Sequence, residues 1–267
     1  MSFSALLAVA LIGQASQTPH SEVSLISSVS KFQSGAPFWA AVRFKIEKDW
    51  HIYWTNPGDT GEPTNIKWQV PTGWKVEPQR WLPPKKVLTG DIVSYAYESE
   101  ALFLAKITPP AKAKAGDIKV SATWLICKDV CLKASKELKL SLQPAAKAAV
   151  NKSGADLIQK ARTQLPASAS GWTFSARRQN GAVIFKGGHP SMTVNPAGAY
   201  FYSSEPAVLD HGAAQTFRPA SKSFSVQLTE SEFASAPAKR LRGVLVPPAG
   251  KTWPKGTKSL YIDIPIQ

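Results

Sequence analysis

The chain has 267 residues, a formal net charge of +14, and is 43% apolar and 10% aromatic. That is too apolar for a disordered chain, and the length allows one large domain or two of ordinary size. The positive charge is scattered over single lysines, with no arginine-rich run or stacking motif, so it reads as a solvated basic surface and not as a nucleic-acid site.

In chain order, Phe3 to Ala15 is a short apolar stretch ending in Gly13-Gln14-Ala15. Residues 1–19 are read as a signal peptide cut near Ala15, although the positive n-region is missing. Beyond it no apolar run reaches the roughly 18 residues a membrane-spanning helix needs. From Glu22 to about Gln143 short strands are expected at Val23–Ser30, Phe38–Ile46, His51–Trp54, Asn65–Val70, Trp74–Trp81, Ala101–Ile107, Ile118–Ile126 and Leu138–Leu142. Asn56-Pro57-Gly58-Asp59, Pro71-Thr72-Gly73, Pro83-Pro84 and Ala115-Gly116-Asp117 supply turns between them. So many regularly spaced strands indicate a two-sheet β-sandwich over residues 20–143.

Residues 144–170 are a linker carrying a short helix, with Ser153 as N-cap and Pro166 as stop. Residues 171–267 form a second β domain, opened by an Asn180-Gly181 hairpin. Its later strands are Ala199–Ser203, Phe224–Leu228, Arg242–Val246 and Ser259–Ile264. His189, and His211 beside Asp210, are read as loop residues, because no nucleophile and oxyanion pattern accompanies them. Tryptophans 39, 68, 74, 81 and 124 are assigned to core packing.

The two cysteines, Cys127 and Cys131, are the only ones in the chain. In one extended strand they would lie roughly 13 Å apart, whereas a disulfide needs Cα atoms within about 7 Å. The chain must therefore turn between them or be helical. Alternation at Ile118, Val120, Ala122, Trp124 and Ile126, and again at Leu138, Leu140 and Leu142, favours two strands. Lys128-Asp129-Val130 is then a hairpin tip with the cysteines across its neck, and Leu132 to Glu137 is an irregular entry into the second strand. A disulfide closing so short a loop contributes only about 2 kcal/mol by chain entropy. A close pair does suit reversible thiol–disulfide exchange. A static disulfide, half of a zinc site and two inert buried thiols are the other readings of the pair. His20, His51, His189 and His211 offer no zinc spacing with it, and neither metal nor organic cofactor is required.

The run Trp50-His51-Ile52-Tyr53-Trp54-Thr55-Asn56-Pro57-Gly58-Asp59-Thr60-Gly61-Glu62-Pro63-Thr64, followed by Trp124-Leu125-Ile126-Cys127-Lys128-Asp129-Val130-Cys131, resembles the periplasmic N-terminal region of DsbD-type thiol:disulfide interchange proteins. The likeness is to the branch that includes the ScsB proteins. The second half, with Ala199-Tyr200-Phe201-Tyr202, resembles the extra β domain of that branch. The resemblance implies an all-β chain: an immunoglobulin-like redox sandwich, a helical linker, and a second β-sandwich-like domain. It implies a thiol:disulfide oxidoreductase relay in the periplasm, either as such or as the periplasmic part of a larger membrane protein. A membrane-embedded DsbD/CcdA-like carrier would supply electrons. Thioredoxin-like proteins, including isomerases and cytochrome c maturation factors, would receive them.

By the same resemblance Cys131 makes the mixed disulfide and Cys127 resolves it. His51 and Tyr53 flank the pair, and Leu88, in a cap loop at Val87–Gly90, shields it. Two features depart from the best-known members. They place five residues between the cysteines where this chain has three, and they carry transmembrane helices and a thioredoxin-like domain. Lys128, Lys133 and Lys136 would favour a thiolate, and Asp129 would oppose it. The rival reading is a binding or chaperone-like module whose disulfide is structural. A glycan-binding module is a further alternative.

Overall fold

The structure, a computed structural model, describes residues 19–267. The signal-peptide assignment with its cleavage near Ala15 therefore lies outside the described residues, save for its last position. The first half forms β1 (Ser21–Ser27), β2 (Val29–Gln33), β3 (Phe38–Ile46), β4 (His51–Gly58), β5 (Asn65–Gln69), β6 (Lys75–Val76), β7 (Lys85–Thr89), β8 (Ile92–Glu98), β9 (Glu100–Thr108), β10 (Gly116–Cys127), β11 (Cys131–Ala145) and β12 (Ala149–Val150). Among the described residues, one sheet of this half runs β1-β3-β9-β6. The other runs β12-β2-β11-β10-β4-β8-β7, with β5 also on β10.

The two sheets face each other as an immunoglobulin-like sandwich, and strand alternation decides what lies between them. Phe38, Ala40, Val42, Phe44 and Ile46 from β3 meet Ile118, Val120, Ala122, Trp124 and Ile126 from β10. The Phe44 ring packs edge-on against Trp124 at 4.9 Å and Phe103 at 5.4 Å. Burying one such ring is worth roughly 2–3 kcal/mol by area.

Three expected strands differ in detail. Val23–Ser30 splits, because the chain crosses from one sheet to the other at Ser28, whose N–H donates to the Trp39 carbonyl at 2.8 Å. Trp74–Trp81 shrinks to Lys75–Val76 and a bridge at Arg80, because Pro78 interrupts the ladder. Leu132 to Glu137 is regular strand, paired from Leu132↔Ile126 to Glu137↔Ser121.

The linker segment carries α1 (Lys152–Arg162). Its cap is Asn151, not Ser153: Asn151 is extended, and its side chain accepts from the Gly154 N–H at 3.4 Å. Ile158 and Ala161 of α1 pack on Ala41, Leu102 and Leu104. The outer face of the β1-β3-β9 sheet is therefore apolar and covered as well. Gly154 permits this approach, since a Cβ there would collide with the Ser27 carbonyl oxygen.

The second half forms β13 (Thr173–Gln179), β14 (Ala182–Gly188), β15 (Tyr200–Ser203), β16 (Arg218–Ala220), β17 (Ser223–Thr229), β18 (Arg240–Val246) and β19 (Leu260–Pro265). The Asn180-Gly181 hairpin forms as expected, with both residues at positive φ. Sheets β13-β14-β17-β16 and β15-β18-β19 enclose Phe185, Phe201, Phe224, Leu241, Leu245 and Trp253. The opposite face of β15 and β18 carries Tyr202 and Val244, which join the first sandwich's core beside Trp54 and Tyr95.

Candidate functional site

The β10–β11 hairpin holds register from Gly116↔Leu142 to Cys127↔Cys131, so the cysteines stand directly opposite each other. A disulfide joins them, with Cα atoms 4.2 Å apart. Lys128, Asp129 and Val130 make the exposed tip, Val130 being 60% exposed.

The two sulfur-bearing residues are not equivalent. Cys127 is 2% exposed, whereas Cys131 is exposed. Sheet order explains this. Cys127 lies between Cys131 on one side and His51 of β4 on the other. On the outer side of β11, β2 pairs only with Gln143–Ala145, at the far end of the strand. Among the described residues no paired strand covers the Cys131 end.

His51 and Tyr53 share one face of β4, two residues apart, while Ile52 and Trp54 face the core. The His51 Nε2 is 3.3 Å from the Tyr53 hydroxyl, and that hydroxyl is 4.0 Å from the Cys131 Sγ. A disulfide sulfur can only accept, so the phenol donates toward Cys131 and His51 Nε2–H donates toward the phenol oxygen. Burial lowers the His51 pKa, opposed by the Glu98 carboxylate across the β4–β8 pair. Burial raises the Tyr53 pKa, opposed by a hydrogen bond with Ser94. At neutral pH the imidazole is therefore uncharged and the phenol keeps its proton.

The structure thus brings Cys127, Cys131, His51 and Tyr53 together. Leu88 sits elsewhere. The expected cap loop is strand β7 and its turn, and Leu88 pairs with Val93 and is 64% exposed. The ladder puts that pair five rows from the Cys127–His51–Glu98 row, about 16 Å along a straight strand. The lysines are also partly engaged: Lys128 pairs with Asp49 at 3.5 Å and Lys133 with Glu62 at 3.0 Å.

Three features escaped the sequence reading. Gly61 (φ +105°) lies so close to Tyr53 that any Cβ there would strike the ring. Asn56 and Asp59, taken as turn residues, anchor the start of this covering segment. Their partner is His211, which is 5% exposed and bonds Asp59 Oδ1 through Nδ1 at 2.8 Å. A separation of 152 positions leaves no local signal for that pair. His189 is also buried, with its Nδ1 accepting from the Ser191 N–H at 3.0 Å, which fits its assignment as a loop residue.

Residues 22–143 match the family model described as thiol:disulfide interchange protein DsbD, N-terminal. Among solved structures, the N-terminal periplasmic domain of ScsB from Proteus mirabilis superposes with a TM-score of 0.67 at 16% identity, covering 93% of this chain and 94% of that one. Spo0M, a sporulation control protein from Bacillus subtilis, is also found, at 9% identity over 93% of this chain and 91% of that one, but its TM-score of 0.25 carries no weight. A comparison with curated proteins gives no match. The family match therefore supports a DsbD-type N-terminal domain over residues 22–143, and the Proteus mirabilis structure shows the shared fold.

Proposed function

We propose that the chain performs thiol:disulfide interchange through Cys127 and Cys131, as a periplasmic relay between a membrane electron carrier and thioredoxin-like proteins. Residues 20–143 would be the redox unit and residues 171–267 its companion β unit. The family match supports the general chemistry. The name of the Proteus mirabilis protein, a periplasmic domain, supports the compartment. Among the described residues no helix is long and apolar enough to cross a membrane, so a carrier would be a separate segment or chain.

The observation that carries the reading is the unequal exposure of the two cysteines. An incoming thiolate reaches the Cys131 Sγ. Its attack forms a mixed disulfide at Cys131 and expels Cys127 as a thiolate, which takes up a proton. The donor's second thiol then attacks its own bonded sulfur and frees Cys131 as the thiolate. Two electrons have then passed to the pair, with one proton on Cys127 and the Cys131 sulfur left as the thiolate. In the outward direction the Cys131 thiolate attacks a partner's disulfide. Cys127 resolves the adduct, restoring the intramolecular bond and leaving the partner reduced. Tyr53 is placed to donate to the Cys131 sulfur when it carries charge, and His51 holds the phenol.

Equilibration in glutathione or dithiothreitol buffers, followed by alkylation and mass measurement, tests this. A potential above about −300 mV is expected, and one well below that value would mark a structural disulfide instead.

A further inference from the structure

We propose that His211, from the second β unit, is a positioning residue for the disulfide site. It would act through the segment 56–64, which covers Tyr53. The proposal rests on the exchange function above and gives the companion unit a part in it.

The contacts form a continuous path. His211 accepts from Asn56 Nδ2 at its Nε2, 3.4 Å away, and donates from Nδ1 to Asp59 Oδ1 at 2.8 Å. Those roles are the two that a neutral imidazole protonated at Nδ1 can fill together. Asn56 is fully buried, and the two protons of its Nδ2 are shared among His211 and the carbonyls of Ser203 and Glu205, the carbonyls lying at 2.9 and 3.2 Å. Its Oδ1 accepts from the Gly58 N–H at 3.1 Å. Asp59 Oδ2 accepts from the Val93 N–H at 2.7 Å, and the Asp59 N–H donates to the Val93 carbonyl at 2.9 Å. The start of the segment is thereby fixed in position against both β units.

Beyond Asp59 the backbone runs exposed through Thr60, Gly61, Glu62 and Pro63. Gly61 lies against the Tyr53 ring, Glu62 reaches Lys133 of β11, and the Thr64 hydroxyl donates to the Tyr53 carbonyl at 2.9 Å. This strap keeps Tyr53 2% exposed on a sheet face that would otherwise meet solvent. The phenol it covers is the group 4.0 Å from the Cys131 Sγ. Losing the His211 hold frees the start of the strap, lets water reach Tyr53, and weakens the phenol's bond to the sulfur.

The test uses the full chain, reduced, with iodoacetamide alkylation of Cys131 followed by mass across a pH series. His211→Ala should raise the Cys131 thiol midpoint and slow its alkylation at neutral pH about fivefold, the order of one lost hydrogen bond. In a Tyr53→Phe background, already slowed, His211→Ala should add nothing. His211→Gln, whose amide can still donate to Asp59, should recover most of the rate. Asp59→Asn serves as a second, milder release should the alanine variant be too unstable. A His211 or Asp59 effect that persists undiminished without the Tyr53 hydroxyl, or no effect in either background, overturns the proposal. Exchange of the wild-type disulfide with glutathione is followed on the same preparations. A wild type that exchanges, with His211→Ala indistinguishable from it, sinks this inference alone, whereas a wild type that fails to exchange sinks the function beneath it.

Discussion

Cys127 and Cys131 differ because one lies between two strands and the other begins β11, at the end that β2 does not reach. This predicts a division of labour. Cys127→Ser should trap a mixed disulfide with an oxidised thioredoxin-like domain bearing one accessible cysteine, because the resolving thiol is gone. Cys131→Ser leaves only the covered thiol and should trap severalfold less. Non-reducing gels of the two variants compare them directly, and equal trapping would remove the assignment. His51 gives a second expectation. Its folded pKa lies below the ordinary value of 6.5 because burial opposes the imidazolium. As pH falls through that value the unfolded chain takes the proton first, so stability drops, and above it the full contribution is present. Urea unfolding of the oxidised protein from about pH 7.5 to about pH 5 should therefore show a decline that His51→Gln reduces. Parallel curves for the two proteins would exclude it.

The β10–β11 hairpin was legible because apolar residues alternate through β10 and again from Leu138 to Leu142, while Lys136 breaks the series between and makes Leu132 to Glu137 read as irregular. The strands β7 and β8 were not. Val93 to Tyr97 of β8 is buried without a break, so no period of two appears, and the cap loop expected at Val87–Gly90 takes in most of β7 and the first residue of its turn. Leu88 was placed by resemblance alone, and the ladder shows the row it occupies but not a contact with sulfur. The helix was legible in type and extent. Its cap was displaced, because Ser153 and Asn151 are both good caps and only the Gly154 N–H, bonded to Asn151 Oδ1, distinguishes them. Ser153 instead donates to that same Oδ1 at 3.2 Å. Asn151→Ala should cost about 1 kcal/mol in chemical denaturation and Ser153→Ala a few tenths, whereas the reverse order would restore the serine cap.

Turn spacing and the change of composition after Pro144 suggest a division into two β halves. They do not say how the strands of residues 171–267 meet the first sandwich. Nothing in Tyr200-Phe201-Tyr202 says that the outer rings turn toward Tyr95 while the central one turns into its own core; that depends on which sheet lies opposite. Nor does a turn motif at Asn56 to Asp59 announce a partner in the other half.

The β15-β18-β19 sheet is apolar on both faces, with Phe201, Leu241 and Leu245 on one side and Tyr202 and Val244 on the other. Melting either half strips a wall from the other, so the pair should behave as one cooperative unit. Heating the oxidised full chain in a scanning calorimeter should give a single endotherm, with calorimetric and van't Hoff enthalpies in agreement. Two resolved endotherms would mean that the sheet parts from the first sandwich before either core is lost. With one endotherm, a substitution deep in the second core, such as Phe224→Ala, lowers the temperature at which the cysteine hairpin itself comes apart, although Phe224 belongs to the other half's core.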